Sequence, residues 1–231
     1  MTIQSSWGSR FRALLVATHL PQALAMIAVM TVATVACGAS WVDVVLVFLA
    51  SAAGQATVGW TNDMHDADAD RDAERHQKPT VHGAIQTEDL RIPILISASL
   101  TIPLSFFAAG WVGGAAHIAA VMSALVYNFF LARTVWSWVP YAVSFGLIPL
   151  FIAQASSTSL WPSIPVIALS ILVGVIAHLF NAIPDIAIDR LAGWGGLAVS
   201  LGKTRSRIVL IVLMSLAVGC LGFIALTFAG S

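Results

Sequence analysis

Uncharged apolar runs recur along this sequence and limit its fold more than any other feature. They cover approximately residues 16–38, 41–61, 92–110, 115–132, 139–155, 162–181 and 208–229. A transmembrane helix needs about 20 consecutive apolar residues, and each run is close to that length. The mean hydropathy of +0.89 agrees with this interpretation. The sequence therefore predicts an all-α polytopic membrane protein with about seven transmembrane helices, in a single domain over residues 1–231.

Tryptophans and basic residues indicate where these helices end and how they are oriented. All eight tryptophans lie at or near proposed helix ends or in connections, where indole rings favour the headgroup region. With seven spans, all 11 lysines and arginines lie on one side of the membrane. The positive-inside rule identifies that side as cytoplasmic. We therefore expect an integral protein of the cell (inner) membrane, with a cytoplasmic N-terminus and with Ser231 outside.

The remaining composition excludes several classes of function. The formal net charge is +0, so no basic excess indicates binding to nucleic acid. Cys37 and Cys220 lie far apart inside apolar runs, which is not the spacing of a metal site or a disulfide. We assign His19, His117 and His178 to hydrogen bonds between helices.

Two large polar connections, 62–91 and 182–207, follow helices that descend toward the cytoplasm in this topology. Both begin with the same pattern of one asparagine and two aspartates at four-residue steps. Its members are Asn62, Asp66 and Asp70 in the first connection and Asn181, Asp185 and Asp189 in the second. On a continuing helix these steps place all three side chains toward one face. Asp68, Asp72 and Glu74 fall off that face, so we interpret them as solvated.

Such a face favours a bound cation. Carboxylates about 6 Å apart repel each other by roughly 3 kcal/mol at an effective dielectric near 20. Oxygen ligands beside a phosphate site suit Mg²⁺, and Lys78 and Arg133 lie on the same side to neutralise remaining phosphate charge. A merely solvated acidic loop is the simpler alternative, but solvation does not require the second cluster to repeat the first. The metal ligands predicted in this way are Asn62, Asp66, Asp70, Asp185 and Asp189.

These motifs resemble the UbiA superfamily of intramembrane prenyltransferases. The family pattern N-D-x2-D-x3-D followed by a basic residue and Pro is similar to Asn62 to Asp70 with Lys78-Pro79. Its second pattern, D-x3-D, is similar to Asp185 and Asp189, and "LVYNFFLARTVWSWVPYAVSFGLIP" resembles the family's fourth and fifth helices. The resemblance covers roughly residues 10–205.

The resemblance implies a ring of helices around a central cavity that is open to lipid and capped by both aspartate motifs. Two Mg²⁺ ions would bind a prenyl diphosphate, and a lipophilic acceptor would attack the allylic cation left by its ionisation. The catalytic residues would be Asp66, Asp70, Asp185 and Asp189. The substrate-binding residues would be Asp63, Lys78, Tyr127, Arg133 and Asn181.

The number of helices departs from the family, which usually has nine spans where this sequence supplies seven. Three explanations remain open at this point: the last two helices are dispensable, a partner or a second copy closes the cavity, or the chain is catalytically impaired.

Three functions agree with these sequence features. The first is transfer of a prenyl group to an aromatic or other lipophilic acceptor. A terpene cyclase would use the same diphosphate ionisation but capture the cation with the substrate's own double bonds. A transporter or lipid-binding protein would instead place charged residues near the middle of the bilayer, whereas the acids here gather at one edge.

Overall fold

The computed structural model describes residues 7–156 and 161–229, and these residues form helices and connections without a β-strand. The two chain ends whose sides the sequence predicts, Met1 and Ser231, lie outside the described residues. The elements are α1 (Trp7–Ala17), α2 (Leu20–Ala36), α3 (Trp41–Asp72), a 3-10 turn (Thr87–Leu90), α4 (Arg91–Val126), a π-helical turn (Tyr127–Leu131), α5 (Trp138–Ala155), α6 (Ile164–Leu191) and α7 (Leu197–Ala229).

Five helical stretches of the described chain are long and apolar enough to span a membrane, or six if the bent pair α1 and α2 forms one span. One of the five is the 45-residue stretch Thr87–Leu131, which folds back on itself. Its backbone leaves the helical region at Ala109 and Gly110, where Gly110 adopts a φ of +60°. Ser105 Oγ and His117 Nδ1 are consequently 2.7 Å apart, although a straight helix would separate them by about 18 Å. Counting both halves of α4 gives the seven predicted spans of this integral membrane protein.

The N-terminal region differs from the sequence prediction. The first span begins at Leu20 rather than at residue 16, and the preceding helix α1 meets it at an angle of 66°. His19 forms the bend in the left-handed conformation, with a φ of +56°. Sequence reasoning missed α1 because it is only 11 residues long and carries Arg10 and Arg12.

Close backbone packing holds this bend against α3. A Cβ atom on Gly59 would lie 2.5 Å from the carbonyl oxygen of Thr18, so no larger residue fits there without a shift. The next residue is Trp60, whose Nε1–H donates a hydrogen bond of 2.9 Å to the carbonyl oxygen of Leu14. These contacts fix the start of α2 beside the polar end of α3.

Helices α3 and α6 continue beyond their apolar runs, as the Asn/Asp pattern requires. Helix α3 extends through Asp70 to Asp72, and α6 passes through Pro184 to Leu191 without a break. Helix α7 begins at Leu197, well before the predicted apolar segment at 208, and is kinked at Gly202, where φ is +75°. The apolar run placed the start of α7 too late, because Lys203, Arg205 and Arg207 lower the local hydropathy but are compatible with a helix.

Helices adjacent in sequence pack on each other, and α2 also packs on α5. The result is an open ring around a central cavity of about 900 Å³. Phe180 lies at the edge of this cavity and is 71% exposed, so the cavity opens toward the outer surface of the ring beside α6. The predicted fold class is confirmed.

Candidate active site

The polar ends of α3 and α6 meet at one end of the central cavity. Asn62 and Asp66 come from α3, and the whole second motif comes from α6. The predicted site residues that line the cavity are Asn62, Asp66, Lys78, Tyr127, Arg133, Asn181, Asp185 and Asp189. Residues that are far apart in sequence are thus brought to a common surface.

Asp63 and Asp70 lie behind this surface and are each only 1% exposed. The Lys78 ammonium donates a hydrogen bond to Asp63 Oδ1, and it lies 3.5 Å from Asp70 Oδ2 and 3.4 Å from Asn62 Oδ1. The helical drift of about 40° per four-residue step turns Asp70 away from Asn62 and toward Lys78. The first motif therefore has a lining part and a buried part, joined by one lysine.

His19, whose side chain is 37% exposed, contacts this cluster from the cavity. Its Nε2 lies 3.1 Å from Asp63 Oδ1 and 3.2 Å from the Lys78 Nζ. The interpretation of His19 as a hydrogen-bonding residue between helices agrees with this contact. Sequence reasoning did not anticipate that the contact reaches a predicted substrate-binding lysine.

Arg75 connects the two motifs and was not predicted. Its guanidinium donates a hydrogen bond of 3.1 Å to Asp189 and lies 3.9 Å from Asp185 and 3.5 Å from Asp70. The guanidinium thereby offsets repulsion among carboxylates from two helices. The turn after α3 that carries Arg75 thus sets the distance between the motifs.

Arg133 contacts the first motif from the opposite wall. It donates a hydrogen bond of 3.2 Å to Asp66 Oδ1, and its guanidinium lies 4.1 Å from the centre of the Trp194 ring. This stacking is a favourable cation–π contact. Gly195 approaches the Arg133 carbonyl oxygen so closely that a Cβ would collide with it. The loop between α6 and α7 therefore packs against Arg133 and orients it.

The π-helical turn at Tyr127–Leu131 brings an asparagine into the network as well. Asn128 is buried and donates a hydrogen bond of 3.0 Å to the Val58 carbonyl oxygen. Its Oδ1 accepts one of 3.4 Å from the Asn62 amide, which also donates one of 2.9 Å to Asp66. Such a turn widens a helix locally and is frequent at functional sites. Asn128 thus orients Asn62, whose own carbonyl oxygen faces Lys78.

His178 matches its sequence interpretation. Its Nε2 lies 3.1 Å from Ser137 Oγ, which also accepts a hydrogen bond of 3.2 Å from the Leu197 backbone N–H. The contact ties α6 to the start of α7. His178 therefore supports the loop that carries Trp194.

The donor set of this site fits Mg²⁺ by chemistry. The side chains supply carboxylate and amide oxygens, which are the ligands that Mg²⁺ prefers. Asp70 Oδ2 is enclosed, lies 3.5 Å from the Lys78 ammonium and makes no hydrogen bond to any described residue. Within residues 7–156 and 161–229, no group of three or more His, Cys, Asp or Glu side chains stands close enough to hold a metal ion. Arg75, Lys78 and Arg133 lie between the carboxylates and pair with them individually.

Comparison with known proteins agrees with this geometry. The model of the UbiA prenyltransferase family matches residues 15–231. The chain belongs to the UbiA prenyltransferase family. No curated protein sequence matches it.

Solved structures show that this UbiA family member has the family's fold. A UbiA homolog from Archaeoglobus fulgidus bound to GPP and Mg²⁺ superposes with a TM-score of 0.78 at 20% identity, covering 93% of this chain and 78% of that one. The same homolog bound to DMAPP and Mg²⁺ gives a TM-score of 0.77 at 21% identity with the same coverage. At this identity the likeness establishes the fold alone.

Sequence reasoning about this UbiA family member found the carboxylates but missed several of their partners. In the sequence, Arg75 lies between Asp70 and Lys78. This position in a basic turn beside the first motif was the available signal for its role. Trp194 was interpreted only as a membrane-interface residue, and Asn128 carried no signal because its role depends on a π-helical turn. The roles of the predicted ligands themselves stay predictions.

Proposed function

We propose that this protein transfers a prenyl group from a prenyl diphosphate to an aromatic or other lipophilic acceptor within the membrane, with Mg²⁺ as cofactor. The main support is the junction of the two Asn/Asp motifs at the mouth of a cavity of about 900 Å³ that is walled by helices. The family match supports prenyl transfer in general. The homolog bound to GPP and to DMAPP with Mg²⁺ supports the class of donor and the cofactor.

The proposed metal ligands are Asn62, Asp66, Asp70, Asp185 and Asp189. Bound Mg²⁺ would supply positive charge that stabilises the diphosphate as it leaves. Asp66, Asp70, Asp185 and Asp189 are the proposed catalytic residues. Accepting the cation requires the carboxylates to exchange their present partners, because Arg75 pairs with Asp189 and Arg133 with Asp66.

The basic side chains have a second role in this proposal. Lys78 and Arg133 line the cavity beside the carboxylates, and Arg75 does so on the α6 side. Once the carboxylates turn toward the cation, these groups are free to donate charge-assisted hydrogen bonds to diphosphate oxygens. Tyr127 and Asn181 line the same region and complete the proposed substrate-binding set. Asp63 contributes by holding Lys78.

The cavity below the charged groups protects a carbocation from water. Its wall includes the apolar side chains of Ala124, Phe145, Ile148 and Val173. Excluding water favours capture of the cation by a bound acceptor over hydrolysis. A terpene cyclase would use the same environment and remains the second candidate. The third candidate, a transporter or lipid-binding protein, is disfavoured because the charged side chains gather at one end of the helices.

We propose that the protein lies in the inner membrane of the cell. Its N-terminus and both motifs would then be on the cytoplasmic side. Arg10 supports a shared side, because it donates a hydrogen bond of 3.1 Å to Asp89 in the connection that follows the first motif. Basic residues gathered at one end of the bundle are typical of the cytoplasmic side.

Product formation tests the function. Purified protein would be incubated with radiolabelled geranyl diphosphate, Mg²⁺ and an extract of membrane lipids, and labelled products would be identified. We expect a labelled adduct that requires both the extract and Mg²⁺. A labelled hydrocarbon formed without the extract would establish the cyclase instead. Binding of the diphosphate without any turnover in the extract would contradict the enzyme proposal.

A further inference from the structure

Two arginines of the candidate site share one aromatic ring. The guanidinium carbon of Arg133 lies 4.1 Å from the centre of the Trp194 ring, and that of Arg75 lies 5.6 Å from it. Both distances are within the roughly 6 Å at which a cation over an aromatic face is attracted to the ring. The arginines come from different connections of the chain, one after α3 and one before α5, and Trp194 is the residue at which they meet.

The loop between α6 and α7 fixes the backbone of Trp194 on two sides. The Trp194 backbone N–H donates a hydrogen bond of 2.8 Å to the carbonyl oxygen of Asp189 on α6. Gly193, with a φ of +71°, supplies the left-handed turn that leads into this bond. Beyond the ring, the Leu197 N–H donates a hydrogen bond of 3.2 Å to Ser137 Oγ, just before α5. The position of the ring therefore does not depend on the arginines alone.

The surroundings of Trp194 differ from those of most other tryptophans in the chain. Trp194 is partly buried and lines the central cavity. The tryptophans that are 59% exposed or more are Trp7, Trp41, Trp111, Trp136 and Trp161. These five have the exposure expected of side chains that face headgroups or lipid. Anchoring at the membrane surface thus does not account for a ring placed against two guanidinium groups of the site.

Both arginines lose their carboxylate partners when the proposed metal binds. Arg133 pairs with Asp66, and Arg75 pairs most closely with Asp189. Among the described residues, every carboxylate that forms an ion pair with either arginine is a proposed metal ligand. A released arginine side chain gains conformational freedom, and ordering it again on the diphosphate costs entropy. The arginines therefore need a second contact that the metal does not remove.

Lys78 has no such need. Its ammonium donates a hydrogen bond to Asp63, which is buried and is not a proposed metal ligand. That contact persists when the other carboxylates turn toward the cation. For the two arginines, the Trp194 ring is the corresponding contact, because a neutral ring neither takes up the metal nor repels a diphosphate.

We infer that Trp194 is a positioning residue, whose ring holds the guanidinium groups of Arg75 and Arg133 in place to donate hydrogen bonds to the diphosphate. This inference rests on the proposed function and adds a residue to its donor site. A cation–π contact at a partly exposed site contributes roughly threefold in affinity, so two contacts contribute about tenfold. The bound state depends on them most, since the carboxylates no longer hold the arginines there.

Replacement of the ring by side chains with and without an aromatic face tests this role. The purified full chain would be titrated calorimetrically with inorganic diphosphate in Mg²⁺. We expect Trp194→Leu to raise the dissociation constant about tenfold, because leucine is apolar but has no aromatic face. Trp194→Phe keeps such a face and should stay within about threefold of the unmodified protein. Trp136→Leu is the control, because Trp136 is 59% exposed and lies outside the cavity lining, and it should leave the affinity unchanged.

A double-mutant cycle shows whether Trp194 acts through the arginines. In an Arg133→Ala background only the longer contact with Arg75 remains. Trp194→Leu should then raise the dissociation constant only about threefold further, instead of tenfold. A purely structural role would give the same loss in both backgrounds.

Fluorinated tryptophans separate the charge of the ring face from its shape. Tryptophan with one, two or three ring fluorines would be incorporated at position 194 alone. Each fluorine withdraws electron density from the ring face with little change in its size, so it weakens attraction to a cation. We expect the affinity for diphosphate to fall stepwise along the series. This measurement also decides the matter if Trp194→Leu fails to fold.

Four results would overturn the inference while the unmodified protein still binds diphosphate. The first is unchanged affinity in Trp194→Leu, and the second is an equal loss in Trp194→Leu and Trp194→Phe. The third is a tenfold loss that persists in the Arg133→Ala background. The fourth is constant affinity along the fluorinated series. Absence of diphosphate binding by the unmodified protein in Mg²⁺ would instead contradict the proposed function, and the inference with it.

Discussion

The two Asn/Asp motifs have the same spacing but very different surroundings. On α3, Asp63 and Asp70 are each 1% exposed and lie in a cluster with Lys78 and His19. On α6, the Asp185 side chain is 45% exposed and the Asp189 side chain 20%, and Arg75 is the only ion-pair partner described for both. Identical spacing therefore produces a first motif that is divided between the cavity wall and the packed structure, and a second motif that lies in the cavity wall. The first motif must serve stability and ligand binding together, whereas the second is free to serve binding alone.

The largest expected effect comes from the residues that both motifs present to the cavity. Asp66→Asn and Asp185→Asn should each lower turnover at least a hundredfold, or about 3 kcal/mol, because each removes a charge proposed to hold the metal. Asp68→Asn is the matched control, since the Asp68 side chain is 93% exposed and, in the part of the chain that the structure describes, pairs only with Arg71. Its turnover should stay within about twofold of the unmodified protein. Turnover would be measured with radiolabelled geranyl diphosphate and the acceptor that the product assay identifies. Equal damage from Asp68→Asn would contradict the separate faces of α3.

Replacing Asp63 should lower the stability of the fold much more than replacing Asp185. Asp63→Asn leaves the enclosed Lys78 ammonium without its closest carboxylate, and breaking a buried pair in this way costs about 3 kcal/mol. We expect the free energy of unfolding in detergent to fall by about that amount. Asp185→Asn should change it by no more than about 0.5 kcal/mol, because its side chain is half-exposed. Unfolding would be followed by circular dichroism. A similar loss of stability in both variants would remove the distinction between the motifs.

Replacing Arg75, which contacts both motifs, should weaken diphosphate binding by a smaller factor. Arg75→Ala removes a donor that the proposal assigns to the diphosphate, so the dissociation constant of inorganic diphosphate should rise about tenfold. Arg71→Ala is the control, because the Arg71 side chain is 54% exposed and, among the described residues, forms an ion pair with Asp68 alone. Calorimetric titration in Mg²⁺ would measure both. If the two variants bound diphosphate equally well, Arg75 would have only a structural role.

The sequence predicted the fold well because the membrane leaves few alternatives. Apolar runs identified all seven spans, including the two halves of α4. These halves fold back on each other at Gly110. The prediction failed where apolarity and helix formation diverge. Helix α1 is too short and too basic to stand out, and α7 begins before the cluster of Lys203, Arg205 and Arg207.

For the candidate site, periodicity predicted which residues approach each other but not their burial. The four-residue steps correctly indicated helical continuation of α3 and α6, and they place Asn62 and Asp66 in the cavity wall. They could not show that Asp70 turns inward, because its position depends on Lys78 and Arg75 in the irregular turn that follows. Nor could they show that His117 lines the central cavity, since its orientation comes from Ser105 across the hairpin.

Binding of inorganic diphosphate with and without a divalent cation tests most directly whether the two motifs form one metal-dependent site. The unmodified protein would be titrated calorimetrically in Mg²⁺ and again in EDTA, beside Asp66→Asn and Asp185→Asn. Repulsion between the carboxylates and the anion predicts binding in Mg²⁺ that weakens at least a hundredfold in EDTA. Each single variant should weaken binding in Mg²⁺ as well, although the two residues lie on different helices. Equal affinity in Mg²⁺ and EDTA, or a loss confined to one motif, would contradict the account.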